Sequence, residues 1–540
     1  MTAHVLRTSW RIGSIVALFV ICTVVVGTGS AAEAAVAAAP GGSWTVYHGD
    51  AEGSGVAASV TTIDSAARAW TSPTLDGKLY GEPLVFKDDV YVATENDTLY
   101  ALSSATGAVA WSTHIATPVS ATSLPCGDIA PTVGITGTPV IDPTRNEIFV
   151  VADESVNGTP QHVLVGLNAT SGAIELRQNV DPPGSNPAAL LQRTGLALDA
   201  GQVVFGMGGN FGDCSTYRGR VVAVNETGGT PNYFTVDAAA DQDQGAIWMG
   251  GAAPAVDANG NIWVSAGNGS VESDNDPYDN SDSALELNSS LQLLQYFAPT
   301  SWAQDNADDL DMSITPALLS DGQVVLAGKS RVVYLLNGAH LGGIGGQEAS
   351  IDAACSSDID GGSAVVGTTV YLPCVSGPVA VQVAAPSGLG VLWKADVGGG
   401  PPILAAGLVW TIGQNGTLYG LDPATGSVRQ QASIGTPANH FPTPSVGDGL
   451  LLATSATDVV AFTAAAPSSS TTTSAPPQTT APSSTTPTTH RQGQSTHGSN
   501  GGLPVGAVIG IAVGGLVALG AAFWLARRRQ RHNRSRVTDG

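Results

Sequence analysis

Short apolar runs of four to six residues recur along this chain, each ended by Gly, Asp or Asn, and helical periodicity is nearly absent outside the two ends. Runs of that length and punctuation predict strands. The clearest copy reads Pro83-Leu84-Val85, Val90-Tyr91-Val92-Ala93-Thr94, Leu99-Tyr100-Ala101-Leu102 and Ala105-Thr106-Gly107-Ala108-Val109-Ala110-Trp111. Further copies begin at Pro139, near Gly195, and at Pro254, Pro316, Ser363, Pro401 and Pro444, eight in all between Glu82 and Thr463. A period of about 40 to 60 residues belongs to propellers and solenoids. Each copy is read as one four-stranded blade.

A blade cannot bury both faces alone, and radial stacking that closes into a ring leaves only short, protected edges. The last copy holds only three strands, Pro444–Val446, Leu450–Thr454 and Val459–Phe462. Its missing outer strand is expected from Ala67–Thr71, which resembles the outer strands around Trp111 and Trp393. The fold class is therefore all-β, an eight-bladed β-propeller closed by an N-terminal strand, plus one C-terminal transmembrane helix. An open solenoid would need a polar cap at each end, and none is visible.

The ends set the expected topology. Arg7 and Arg11 precede the apolar stretch Ile12–Val26 and a small-residue run from Ala31 to Ala39, so residues 1–39 read as a signal peptide. Residues 40–463 form the ectodomain, and 464–502 a Ser/Thr/Pro-rich stalk too poor in apolar side chains to fold. Residues 503–526 carry no charge and are long enough to span a bilayer, and residues 527–540 form a basic tail. The positive-inside rule places that tail in the cytoplasm and the ectodomain outside, in a single-pass cell-membrane protein. A sortase-like layout is only partly matched, because Val505-Gly506-Ala507 lacks the threonine at which such signals are cut. Gly506, Gly510 and Gly514 recur every four residues, a small face that permits a homodimer, although Gly/Ala-rich spans are common without one.

Charge narrows the partners. Between Pro40 and Thr463 there are 12 Lys plus Arg against 42 Asp plus Glu, so nucleic acid would be repelled and is excluded as a partner. Cys22 falls in the signal peptide, leaving four cysteines in an oxidising compartment and three formal pairings. Cys355 and Cys374 flank consecutive strands of one blade and are expected to pair, which leaves Cys126 with Cys214. The histidines are scattered without an i, i+4 pair, and no Gly-x-Ser-x-Gly turn is found. Neither a metallohydrolase nor the commonest serine-hydrolase site is supported.

The phrase Leu99-Tyr100-Ala101-Leu102, then Thr106-Gly107 and Trp111, resembles the repeat of the pyrroloquinoline quinone (PQQ)-like β-propeller family. It recurs as Leu418-Tyr419-Gly420-Leu421 with Thr425-Gly426. That family holds quinoprotein dehydrogenases and also propellers without a quinone, among them the lipoprotein of the outer-membrane barrel-assembly machinery. The stretch from Ala246-Ile247-Trp248 through Ala266-Gly267-Asn268-Gly269 and Asp282–Leu287 to Asp308-Asp309-Leu310-Asp311 is similar to quinoprotein alcohol and polyvinyl-alcohol dehydrogenases. The resemblance implies Trp248 as a stacking platform for PQQ and Asn268 as an amide ligand of calcium. It implies Asp274 or Asp276 as the base. The family's glutamate ligand falls at Cys214, so Asp213 beside it becomes the second metal candidate. The family's adjacent cysteine pair and any haem motif are missing.

Each of these residues also has a plainer role: Trp248 as packing between blades, Asn268 as a turn residue, and Glu272–Asp282 as a solvated acidic loop. Two functions follow. The favoured one is a membrane-anchored, cell-surface binding or scaffold module for an envelope or extracellular protein or polymer. The alternative is an extracellular PQQ- and calcium-dependent dehydrogenase oxidising an alcohol or sugar.

Overall fold

The computed structural model describes residues 42–58, 60–384 and 388–465. The expected signal peptide, transmembrane helix, glycine face and basic tail, and the stalk beyond Ala465, lie outside the described residues, whereas residues 464 and 465 belong to the last strand of the propeller. Among the described residues, no helix is long and apolar enough to cross a membrane. The chain divides into units at 469/470, and the first contains the propeller.

Eight sheets of at least four strands follow one another in chain order, at the positions that the repeat predicts. Blade 1 consists of Leu84–Phe86, Asp89–Ala93, Thr98–Ser103 and Val109–His114, paired antiparallel in that order. Its first three strands are largely buried, and its fourth alternates exposed and half-buried positions. This is the gradient expected when inner strands face neighbours on both sides and outer strands meet water. Blade 8 holds Ser445–Gly447, Leu450–Thr454 and Val459–Ala465. Its outer strand is Thr62–Thr71 from the other end of the propeller, with Arg68 opposite Phe462, Trp70 opposite Ala461 and Thr71 opposite Val460. The ring is closed by the strand the sequence pointed to.

The Trp and the Gly of the repeat act on each other across blades. Trp70 of blade 8 donates from Nε1 to the Ser104 carbonyl at 2.6 Å, Trp111 of blade 1 to Ala169 at 3.2 Å, and Trp393 of blade 6 to Pro423 at 2.8 Å. Each indole covers the turn glycine of the following blade, Gly107, Gly172 or Gly426, all at φ +70°. A Cβ on any of the three would fall no more than 2.5 Å from the indole. The glycine is thus required twice, by its left-handed backbone and by the ring above it.

One segment had no counterpart in the strand pattern. Residues 42–57 run along the innermost strands at the end of the ring where first and second strands turn. Gly42 O accepts from Asp448 N, Trp44 pairs with Val85, and Thr45 O accepts from Ile141 N. Further on, Ala51 O accepts from Val256 N, Ser54 O from Val365 N and Gly55 O from Leu404 N. Blades 8, 1, 2, 4, 6 and 7 are touched in ring order. Glu82 anchors the segment from below, accepting from Trp44 Nε1 at 2.9 Å and His48 N at 2.7 Å. His48 is fully buried, stacked on Tyr47 with ring centroids 4.3 Å apart, and burial lowers its pKa to about 4.

Both disulfides form as expected, Cys126–Cys214 with Cα atoms 6.2 Å apart and Cys355–Cys374 with Cα atoms 5.9 Å apart. The first joins the connection between blades 1 and 2 to the turn after the second strand of blade 3, Gln202–Gly209.

Two outcomes test this account. Trp70→Ala removes a buried indole and its hydrogen bond at the closing blade, and should lower unfolding free energy in guanidinium by about 3–5 kcal/mol. For His48, the unfolded ring takes up a proton below pH 6.5 while the folded ring stays neutral until about 4. Its contribution is therefore present above pH 6.5 and is lost as pH falls toward 4, a difference of about 3 kcal/mol. His48→Phe should be less acid-sensitive than the natural protein by that amount, read from denaturation midpoints at pH 7.5 and 4.5.

Candidate functional site

At the opposite end of the ring lie two kinds of loop, those joining one blade to the next and those between second and third strands. Their inner residues meet near the axis. Trp248 comes from the connection between blades 3 and 4, followed by the tight turn Met249–Gly251. A Cβ on Gly250 would come within 2.4 Å of the Gly361 nitrogen, so this turn is seated against the Asp360-Gly361 backbone and fixes the indole. Phe441, from the connection between blades 7 and 8, stands edge-on to Trp248 with centroids 6.1 Å apart. Arg193 lays its guanidinium over Phe441 at 4.1 Å and over Tyr80 at 5.9 Å. His440 Nε2 lies 3.3 Å from Asp360 Oδ2.

Lys329 completes the cluster. It sits between the second and third strands of blade 5, Gln323–Ala327 and Val333–Asn337, with its ammonium 5.2 Å from the Trp248 ring centre. It forms an ion pair with Asp311 and lies 3.7 Å from Asp309. Burial by itself would lower its pKa, but Asp311 and Asp309, with Asp360 further off, together raise it well above the ordinary value. The ammonium is charged at every physiological pH. Asp311 Oδ1 also accepts the Asn268 N–H at 2.7 Å, and the Asn268 amide faces Asp311 and Asp309. Gly267 makes the approach possible, since a Cβ there would strike Asp311 and lie 3.2 Å from Trp248 Nε1.

The structure thus brings Trp248 and Asn268 together, with Asp311 as their carboxylate. Asp274 and Asp276 are not brought there; both are exposed on the outer part of their loop. The chain turns at Ser273–Asp276, where Asp276 N donates to Ser273 O, and this turn carries both carboxylates into solvent. The loop is solvated only in its outer half, because Asp279, Ser281 and Asp282 are buried. Asp213 accepts the Tyr217 hydroxyl at 2.8 Å. Tyr217 is held well above the usual phenol pKa, first by burial and then by Asp213 and Asp311, which places Asp213 at the edge of the cluster. Lys329 had a signal in the sequence: it is one of only 12 basic residues in an acidic propeller, at a loop on the site's face. Asp311 stands in the stretch that carries the dehydrogenase resemblance.

A quinone and calcium would need a free aromatic face, several oxygen ligands and a carboxylate free to act as base. The residues present do not complete that set. Among the described residues, no three His, Cys, Asp or Glu side chains are grouped to hold a metal ion. Asp311 is already engaged by Lys329 and Asn268, and Lys329 and Phe441 both crowd Trp248.

Ring, repeat and inter-blade tryptophans define an eight-bladed β-propeller. Residues 56–286 match the family model described as outer membrane protein assembly factor BamB. That match covers less than half of the chain, and its repeat is like that of the PQQ-like β-propellers. Among solved structures it is similar to the quinohemoprotein alcohol dehydrogenase ADHIIG from Pseudomonas putida HK5, with 13% identity and a TM-score of 0.61 over 83% of this chain and 82% of that one. The quinohemoprotein alcohol dehydrogenase of Comamonas testosteroni gives 16% identity and 0.57, over 78% and 80%. A europium-containing methanol dehydrogenase gives 15% and 0.55, over 77% and 90%. At such identities these likenesses show the fold alone. No curated protein matches the chain in sequence.

Removing the Lys329 ammonium strands Asp311. Lys329→Met is expected to cost about 2–4 kcal/mol in chemical denaturation, below the full cost of breaking a buried pair because the lysine side chain is 23% exposed. Adding Asp311→Asn should recover part of the loss, since the stranded charge is its source.

Proposed function

We propose that the protein is a cell-surface binding or scaffold propeller, anchored in the membrane by residues 503–526, that contacts an extracellular or envelope polymer or protein through the loop face around Trp248, Phe441 and Arg193. The observation that carries this reading is the Asp311–Lys329 ion pair at the ring centre. It holds Asp311, which accepts from Asn268 beside Trp248, in a neutralised, hydrogen-bonded state suited to a fixed recognition surface. Residues 42–57 line the other end of the axis, so a ligand reaches the centre from the loop face. Aromatic rings held by cation–π contacts provide large, rigid contact area at low entropic cost.

A second reading, a PQQ- and calcium-dependent dehydrogenase acting on an alcohol or sugar, is favoured by one observation: Trp248, Asn268 and Asp311 stand together. In that reading Asp311 replaces Asp274 and Asp276 as the base.

One experiment separates the readings. The purified full-length protein is mixed with PQQ and calcium chloride, passed through gel filtration, and assayed for dye reduction with a panel of alcohols. In parallel it is co-sedimented with isolated cell-envelope polymer. The binding reading expects no retained quinone and a sedimented fraction that falls at least several-fold in Phe441→Ala and Arg193→Ala but not in Asp274→Asn. Quinone retained by the natural protein and lost in Trp248→Ala, with turnover lost in Asp311→Asn, would establish the dehydrogenase instead.

A further inference from the structure

Arg193 is the most deeply buried basic residue among those described, 8% exposed where every other Lys and Arg is more open. It follows Leu190–Leu191 in the segment that leads into blade 3. The described residues give its guanidinium two aromatic faces, Phe441 at 4.1 Å and Tyr80 at 5.9 Å, and no hydrogen-bond acceptor or ion-pair partner. Glu95 feels its charge but forms no ion pair with it: Glu95 Oε2 accepts the Gly134 N–H at 2.7 Å, and Oε1 is unpartnered. By contrast, Lys329, Arg145, Arg177 and Arg429 each hold a carboxylate, and Arg218 and Lys394 hold main-chain carbonyls.

A guanidinium withdrawn from water without acceptors is costly, and aromatic faces offset only part of that cost. None of its nitrogens is both unpartnered and sealed, so the fork stays open to solvent. Its surroundings hold it still. Phe441 N donates to Asn439 Oδ1 at 2.9 Å, and the His440 ring lies 3.9 Å from that of Phe441 while its Nε2 is 3.3 Å from Asp360 Oδ2. Gly195 N donates to Gly251 O at 2.9 Å, which ties the Arg193 segment to the turn that sets Trp248. The ring centre therefore presents an oriented cation with its donors free, arranged before any ligand arrives.

A planar fork matches a carboxylate through two parallel N–H bonds, and one such pair satisfies the group. A phosphate offers more acceptor oxygens than one fork fills, and the neighbouring basic groups of Lys329 and His440 already face Asp311 and Asp360. The surrounding acids also limit the charge density of the ligand. Beyond about 8 Å, exposed charges are largely screened at physiological ionic strength, so an isolated carboxylate meets Arg193 at contact and feels little of the acidic ectodomain. Carboxylates following closely along a polymer would instead be pressed against Asp309, Asp311 and Asp360. Large apolar residues beside Arg193 are covered, with Tyr80 and Leu191 buried and Trp248 and Phe441 half-buried, whereas a protein interface is built around an exposed apolar core. We propose that Arg193 is the anion-recognising residue of the loop face, and that the polymer it binds bears carboxylates spaced apart by neutral units. This assignment rests on the binding reading above and narrows its ligand.

The test co-sediments the full-length protein with isolated cell-envelope polymer in four forms: untreated, carboxyl-reduced with carbodiimide and borohydride, stripped of phosphate groups with hydrogen fluoride, and digested with protease. Carboxyl reduction should weaken binding at least about tenfold, and the other two treatments should leave it unchanged. Arg193→Ala should lose as much on untreated polymer, and should lose nothing further when the polymer is carboxyl-reduced, the mark of two groups that act on each other. Arg193→Lys keeps the charge without the fork and should fall between, while Arg429→Ala, on the outer strand of blade 7, should bind as the natural protein does. Equal binding to carboxyl-reduced and untreated polymer would overturn this assignment and leave the binding reading standing. Loss on phosphate removal or on protease digestion, with carboxyl reduction harmless, would make the ligand a phosphate polymer or a protein and overturn it likewise. Untreated polymer left in the supernatant with the natural protein would overturn both. The carboxyl-reduction arm needs only the natural protein, so misfolding of a variant does not blur it.

Discussion

Closure of the ring depends on the contact between an indole of one blade and a glycine turn of the next. Each four-stranded sheet has two apolar faces and cannot stand alone. The indole covers part of one face, donates to a carbonyl beyond the third strand of its neighbour, and sits where any side chain but hydrogen would collide. It fixes the spacing and rotation between blades together. At the junction of blades 8 and 1 the indole is Trp70, carried by a strand from the opposite end of the ring. The same contact that packs blades therefore also locks the circle.

Once the circle is locked, its two ends diverge. At one end the turns are short and residues 42–57 lie along six innermost strands, with Glu82 holding Trp44 and His48. The other end bears the long connections, and side chains from blades far apart in sequence reach the axis there. Arg193, Trp248, Asp311, Lys329 and Phe441 come from five different loops and are held by ion pairing, cation–π contact and edge-on aromatic packing. Fold and function separate here, because the ring is common to enzymes and binding proteins while the loops decide what is recognised.

Uncompensated burial of charge is the second theme of the molecule. An acidic propeller with few basic residues must either expose its carboxylates or neutralise them. Asp274 and Asp276 take the first course and Asp311 takes the second, through Lys329. Asp153, buried in blade 2, stands 3.7 Å from His162 Nε2.

Blade number, blade order and the closing strand were legible from residues alone, because the short strand pattern recurs eight times and three of the outer strands share a tryptophan set against a glycine turn. The two disulfides were legible too, once the strands between the cysteines were placed. The candidate site was legible in part. Trp248 and Asn268 could be named from a local stretch, but the carboxylate beside them could not be chosen among Asp274, Asp276 and Asp311, since a turn of a few residues decides which one reaches the axis. Lys329 and residues 42–57 gave no repeat signal at all. Their roles arise from contacts between distant parts of the chain, and only closure of the ring brings those parts within hydrogen-bonding distance.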